Sequence, residues 1–145
     1  MAAGVVRIGT ENAAFQQLLA LCKSRNKRHR LGQCLVEGVN PINLALRYSW
    51  EVTGLLQAEG ATLSGWARDV IASCSQATLY KITPDLMKKI SDKEETSEII
   101  AVVKIAAGGV ERIHIRETPL LVVVDQPQSP GNLGSLIRSC DAFSV

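Results

Sequence analysis

A loop in the last part of the sequence has the residue types and spacing of a chemical site. Residues 120–124 form an apolar run that predicts a strand, residues 126–134 are rich in turn formers, and residues 135–143 predict a helix carrying Arg138. The carboxyl end of a parallel strand that leads into a helix is where α/β folds build sites. Free N–H groups at such a helix start favour anions such as phosphate. The pattern therefore predicts a site for a phosphate-bearing substrate.

Two familiar glycine loops do not fit this segment. A dinucleotide fingerprint, G-x-G-x-x-G, is absent, because only Gly131 and Gly134 occur there. The Gly-x-x-Gly loop of a KH-type RNA module joins two helices, whereas this loop follows a predicted strand. From spacing alone, Arg138 is either a functional cation or part of the polar face of a helix.

A second candidate site is a basic run with no acidic residue in it. The formal net charge of the chain is +2, and without this run the remaining residues carry a net negative charge. A basic patch in a mildly acidic chain indicates phosphate contacts with a nucleic acid, although a solvated helix end is the alternative. His29 is expected to be exposed and not catalytic. The five cations of the run are Lys23, Arg25, Lys27, Arg28 and Arg30.

The elements that would position these residues follow from the apolar periodicity. A single helix is predicted over residues 10–26, with the basic run beginning in its last turn. Strands and helices then alternate up to residue 107 in the order α-β-α-β-α-β-α-β. This alternation predicts a three-layer α/β/α domain with a mainly parallel sheet. Trp50 and Trp66 have apolar neighbours and are predicted to lie in the core.

The domain organisation follows from a change in the sequence pattern near residue 107. Residues 1–107 are predicted to form one domain and residues 108–117 a linker. Residues 118–145 are predicted to be the first strand, loop and helix of a second α/β domain. A parallel strand needs partner strands to be buried, so this second domain is predicted to be incomplete in the chain as given.

Composition excludes several classes of protein. Hydrophobic residues make up 46% and charged residues 21%, which is typical of a globular domain. No apolar stretch approaches the roughly 20 residues of a membrane helix, so no membrane partner is predicted. The four cysteines are far apart and form no C-x-x-C pair, which predicts no metal site, no disulfide framework and a reducing cytoplasmic location.

The loop and the basic segment together resemble a known family. Residues 130–138, after the strand that ends in Asp125, carry the pattern N-x-G-x-x-x-R as Asn132, Gly134 and Arg138. This pattern resembles the first motif of the SpoU/TrmH family of RNA ribose 2′-O-methyltransferases. Residues 18–28, 35–38, 42–46 and 91–103 resemble the family's accessory N-terminal domain, which is similar to a ribosomal-protein fold that binds structured RNA.

The resemblance implies a role for each candidate residue. Arg138 would contact substrate phosphate and help to deprotonate the ribose 2′-hydroxyl, while Asn132 would order the site. Because an arginine has a pKa far above 7, the role of a base requires a special environment. The basic run would bind ribosomal or transfer RNA, and Glu37, at a predicted strand end, is a further RNA-site candidate or else a turn residue. The motif departs from the family pattern at Ser129 and Ser144.

The resemblance also implies a cofactor and a partner for the whole protein. S-adenosylmethionine would be the methyl donor, held in a knot by two later motifs, and the whole protein would be a homodimer. Because those motifs are absent up to Val145, the chain as given is predicted to have no cofactor site and to be inactive. The alternative is a stand-alone ribosomal-protein-like RNA-binding module without catalysis.

Overall fold

The computed structural model describes residues 4–91, 93–106, 108–109, 113 and 117–144. The chain divides into two compact units, Met1–Ala107 and Gly108–Val145, which we call the first and second units. The elements are β1 (Val5–Ile8), α1 (Ala13–Lys23), α2 (Arg25–Leu31), β2 (Gln33–Glu37), α3 (Val39–Arg47), β3 (Val52–Ala58), α4 (Gly65–Ser73), β4 (Thr78–Ile82), α5 (Pro84–Ile90), β5 (Ile99–Lys104) and α6 (Pro130–Ala142).

The first unit contains a five-stranded sheet in the order β1-β4-β3-β5-β2. The predicted α/β class is confirmed, and the sheet is mixed: four of its five strands run in the same direction and β5 runs in the opposite direction. β1 and β3 pair with β4 in parallel, whereas β5 is antiparallel to both β3 and β2. Alternating strands and helices in a sequence do not fix the direction of the last strand, which here enters between β3 and β2 in the opposite sense.

The sequence pattern missed β1. This strand pairs with β4 from Val5↔Leu79 to Ile8↔Ile82 at one edge of the sheet. Three of its four residues are exposed and only Ile8 is buried. A four-residue edge strand with one buried side chain has too short an alternation to be recognised, so the predicted element order lacked its first member.

Helices cover both faces of the sheet, as the three-layer prediction required. On one face, α1 and α5 pack through Phe15, Leu18 and Met87. On the other face, α3 and α4 pack through Ile42 and Val70. β5 contributes to both cores in alternation, because successive side chains of a strand point to opposite faces. Ile100 and Val102 belong to the first core, and Ile99, Ala101 and Val103 belong to the second.

The second unit differs from the prediction in two ways. Residues 120–124 form no hydrogen-bonded strand, and their side chains are between 42% and 92% exposed. The predicted strand is therefore wrong, because no partner strand pairs with it among the described residues. Helix α6 begins at Pro130, earlier than predicted, since Ser129 Oγ accepts a hydrogen bond from Asn132 N at 3.3 Å. The predicted linker at 108–117 lies largely outside the described residues.

We predict that the first unit folds without the second. Its sheet, its five helices and both hydrophobic cores are made of residues before position 107. Deleting residues 108–145 should therefore leave the melting temperature of the first unit unchanged, as measured by circular dichroism. A broader, non-cooperative transition after the deletion would show that the two units share stabilising contacts.

Candidate nucleic-acid interface

The basic run lies mostly on a separate helix, because the chain breaks at Ser24. The predicted single helix over 10–26 is therefore wrong in its extent. Ser24 has an extended backbone, with φ −123° and ψ 111°, and its hydroxyl accepts a hydrogen bond from Lys27 N at 3.3 Å. Serine is a preferred N-cap because its short side chain replaces a missing backbone acceptor. The break turns the basic residues onto α2, with Lys23 left as the last residue of α1.

Arg28 differs from the other cations of the run because it holds the break together. Its Nη1 donates to the carbonyl oxygen of Leu21 at 3.0 Å and to that of Cys22 at 2.8 Å. These carbonyls lie in the last turn of α1, where they have no partner within the helix. Arg28 is therefore a structural cap as well as a member of the predicted RNA site.

The remaining cations of α2 face outward. Arg25 and Arg30 are exposed and Lys27 is half-buried, and no carboxylate of the described residues forms an ion pair with any of the three. These three cations are therefore available to bind an anionic partner, because no carboxylate of the described residues competes for them. Lys27 and Arg30 also line a groove between α1 and α2, together with Gln16, Gln17, Ala20 and Leu31.

The end of α2 is fixed to one end of the sheet. Gly32 ends the helix with φ 61°, a left-handed conformation that suits glycine. Its carbonyl oxygen accepts a hydrogen bond from Ile105 N at 2.7 Å, and the preceding Lys104 N donates to Glu51 O at 2.9 Å. The basic helix and the turn that precedes β3 therefore lie at the same end of the sheet, which we call the basic end.

A small polar cavity of about 270 Å³ lies at the basic end. Gln33 Nε2 donates to Thr53 Oγ1 at 3.0 Å, and Thr53 Oγ1 donates to Val102 O at 3.3 Å. Gly54 is needed in the cavity wall, because a Cβ there would lie 2.9 Å from Tyr80 and 3.2 Å from Val102 and would force these side chains to shift. The end of the sheet beside α2 thus has an indented, hydrogen-bonding surface.

Glu37 lies at the opposite end of β2 from α2. Its Oε1 accepts hydrogen bonds from Ser91 Oγ at 2.8 Å and from Ser97 N at 3.1 Å. These contacts tie the segment between α5 and β5 to the end of β2. The structure does not bring Glu37 together with the basic run, and its role in RNA binding stays a prediction.

Asn132 and Arg138 both lie on α6. They are six positions apart, which separates their directions by about 120° around a helix with 3.6 residues per turn. Arg138 Nη2 donates to Ser135 Oγ at 3.2 Å, so its guanidinium is held along the helix. No side chain among the described residues of 117–144 is buried. The catalytic roles predicted for this pair stay predictions.

Among the described residues, neither the cysteines nor a membrane-spanning helix provides a further candidate site. Burial raises the pKa of the Cys34 thiol, although the nearby Arg28 charge opposes this shift. Burial also raises the pKa of Cys74. No group of His, Cys, Asp and Glu side chains in the described part of the chain could hold a metal ion. In the same part, every helix is too short or too polar to cross a bilayer.

Two aromatic residues at the basic end are exposed. Tyr48 is 66% and Trp50 is 45% exposed, so the prediction that Trp50 lies in the core is wrong. Trp50 lies in the turn after α3, between Leu46 and Val52, which are partly buried against the core under α3 and α4. Trp66 is half-buried, and its Nε1 donates to Asn43 Oδ1 at 2.8 Å. The sequence contained one sign that Trp50 is exposed, because Trp50 lies outside any periodic apolar pattern.

The family described as "SpoU L30e-like domain" has a sequence model that matches residues 12–101. That range includes α1 to α5, the strands β2 to β4 and the first half of β5. It defines the first unit as an L30e-like domain. The chain belongs to the SpoU family of RNA 2′-O-methyltransferases, as the resemblance predicted.

Known relatives are consistent with this assignment. The chain is 44% identical over 140 residues to a 23S rRNA (uridine(2479)-2′-O)-methyltransferase of Streptomyces viridochromogenes, covering 96% of this chain and 48% of the relative. The crystal structure of the SpoU methyltransferase AviRb from the same organism, in complex with AdoMet, is 45% identical with a TM-score of 0.80, covering 90% of this chain and 49% of that one.

A more distant relative shows that the fold persists at low identity. An rRNA methyltransferase from Sinorhizobium meliloti is 20% identical, with a TM-score of 0.77 over 95% of this chain and 51% of that one. The chain spans about half the length of the curated relative it matches.

We predict that Arg28 and Arg30 contribute differently to stability. Arg28→Ala should lower the free energy of unfolding by about 1.5 kcal/mol, because two carbonyls at the end of α1 lose a charged donor. Arg30→Ala should change it by less than about 0.5 kcal/mol, as an exposed side chain without such contacts. Urea denaturation of both variants tests this. Equal stability of the two variants would contradict the capping role of Arg28.

Proposed function

We propose that the first unit is the RNA substrate-binding domain of an S-adenosylmethionine-dependent ribosomal RNA ribose 2′-O-methyltransferase. The observation that carries this proposal is that Arg25 and Arg30 of α2 are exposed and form no ion pair with a carboxylate of the described residues, in a chain that belongs to a family of RNA methyltransferases. A relative covering 96% of the chain is named as a 23S rRNA methyltransferase, which favours ribosomal over transfer RNA.

Electrostatics supports α2 as the phosphate-binding element. Arg25 and Arg30 extend into solvent, and a guanidinium binds phosphate with two parallel hydrogen bonds. Lys27 lines the groove between α1 and α2, where it would add a point charge. Phosphate contacts of this kind position an RNA without reading its sequence. Sequence or shape selectivity therefore has to come from other residues of the domain.

We propose that Asn132 and Arg138 belong to the catalytic site of the whole protein. Arg138 would bind a substrate phosphate and assist removal of the ribose 2′-proton, and Asn132 would order the surrounding loop. The methyl group would come from S-adenosylmethionine. The described residues of 117–144 contain no buried side chain, so they do not supply the enclosed environment that cofactor binding and an arginine base require. A homodimer and a cytoplasmic location of the whole protein belong to the same proposal.

The first test of this proposal measures the salt dependence of RNA binding. The double variant Arg25→Gln/Arg30→Gln should bind structured RNA more weakly. Its slope of log K against log salt should be shallower by about 1.4–1.8, because each lost phosphate contact removes about 0.7–0.9. The control Arg68→Gln/Lys88→Gln removes the same charge from α4 and α5 and should keep the wild-type slope. An unchanged slope in the α2 variant would show that these cations are only a solvated surface.

A second test concerns the methyl donor. We predict that the 145-residue chain does not bind S-adenosylmethionine by itself, because residues 120–124 are exposed and α6 buries no side chain. Calorimetric titration of the purified chain should give no saturable heat up to millimolar ligand. A saturable micromolar isotherm would overturn this part of the proposal while leaving the RNA-binding part intact.

A further inference from the structure

The turn after α3 presents two aromatic rings to solvent. Tyr48 and Trp50 are 66% and 45% exposed, although the chain contains only two tryptophans and two tyrosines. Exposure of a large aromatic ring forgoes the free energy that its burial would provide. We call residues 47–50 the aromatic turn.

The backbone of the aromatic turn is firmly held. Ser49 has a positive φ of 55°, and its N–H donates to Leu46 O at 3.0 Å. Trp50 N donates to Ala45 O at 2.8 Å, so the last turn of α3 fixes the direction in which the chain leaves it. The guanidinium carbon of Arg47 lies 5.8 Å from the centre of the Tyr48 ring, within cation–π range. The backbone that carries the two rings is therefore fixed to the end of α3 by hydrogen bonds.

Trp50 also forms one wall of an open cleft of about 300 Å³. Apolar side chains of Leu46 and Val52 line the cleft beside the indole, and Ser75 and Gln76 provide polar groups from the segment between α4 and β4. An aromatic face next to hydroxyl and amide groups suits a nucleobase, which has a flat apolar face and a polar edge.

The position and charge of the aromatic turn favour an RNA occupant. Glu51, the residue after Trp50, is hydrogen-bonded to Lys104, and Ile105 is hydrogen-bonded to Gly32 at the end of α2. Only β5 separates the starts of β2 and β3, a distance of about 10 Å for two strand spacings. The carboxylate of Glu51 forms an exposed ion pair with Lys104 Nζ at 3.0 Å. One RNA strand could therefore contact α2 and reach the aromatic turn without meeting an unpaired negative charge there.

We propose that the aromatic turn stacks an unpaired nucleotide of the RNA whose backbone contacts α2. The substrate class is then RNA with an accessible loop or bulge, because the bases of an uninterrupted duplex are not free to stack on a protein ring. This inference rests on the proposed RNA-binding function and adds the selectivity that phosphate contacts lack.

The experiment uses Trp50 as its own probe. In the full chain, Trp66→Phe leaves Trp50 as the single tryptophan, and this background should keep wild-type affinity for RNA. Titration with an RNA hairpin that has an unpaired loop should quench the emission of Trp50. A blunt RNA duplex of equal length should bind through α2 without quenching it.

Variants at Trp50 measure the contribution of stacking. Trp50→Leu should raise the Kd for the hairpin about tenfold, since one base loses its aromatic partner, and should leave the Kd for the duplex and the salt slope unchanged. Trp50→Phe keeps an aromatic face and should recover most of the affinity. Thermal melts of both variants should match the wild type, because the side chain is exposed.

Other outcomes would overturn the inference in distinguishable ways. If Trp50→Leu keeps hairpin affinity while Arg25→Gln/Arg30→Gln loses it, the stacking role is wrong and RNA binding by α2 stands. If the wild-type chain binds neither RNA, the proposed function fails as well. If Trp50 emission changes with protein concentration in the absence of RNA, the aromatic turn is an interface between two copies of the chain.

Discussion

Burial of β5 between β3 and β2 is the constraint on which the first unit depends. Ile100 and Val102 fill the core under α1 and α5, while Ile99, Ala101 and Val103 fill the core under α3 and α4. A shift of this strand by one residue would exchange the two faces. The register Gln33↔Lys104 and Val52↔Val103 then fixes where β2 and β3 begin. The relative positions of the basic helix and the aromatic turn follow from that register.

The cations of the basic run divide into two groups with different physical tasks. Arg28 satisfies two backbone carbonyls of α1 and so maintains the bend between α1 and α2. Arg25 and Arg30 remain in solvent with no ion pair to a described carboxylate, so no internal interaction competes with an anionic partner. Because of this bend, the cations of the seven-residue α2 lie beside the sheet. One straight helix would carry the same cations away from the domain surface.

Much of the fold could be predicted from the sequence because the information was local. The apolar run 99–103 predicted β5, and the pair Thr83-Pro84 predicted the start of α5. Long-range information was missing. The apolar periodicity of α1 stops at Cys22 and does not mark where the helix ends, and the hydrogen bonds of Ser24 and Arg28 reveal the break. Strand direction depends on which neighbours a strand finds, so an antiparallel β5 left no trace in the alternation of elements.

The candidate site shows the same division between local and long-range information. Residue type and spacing singled out the basic run and Arg138, and the resemblance to the SpoU/TrmH motif added Asn132; the roles of these residues stay predictions. Trp50 follows a turn at Ser49, where φ is 55°, and the sequence indicated its exposure only by placing it outside any periodic apolar pattern. The engagement of Glu37 depends on the Ser91 hydroxyl and the Ser97 backbone N–H, both more than fifty positions away. Contacts of this range arise only when the sheet is assembled.

The pairing of β1 with β4 has a consequence for the order in which the domain is built. Val5 is synthesised early, yet its partner Leu79 emerges roughly 4 to 15 seconds later at ordinary rates of translation. Leu86 and Met87, which share a core with Phe15 and Leu18, are synthesised after a similar delay. Contacts so distant in sequence close late and slow the folding reaction. Until residues 79–87 have emerged, the nascent chain therefore carries β1 without its partner strand and the apolar face of α1 without the α5 side chains that cover it.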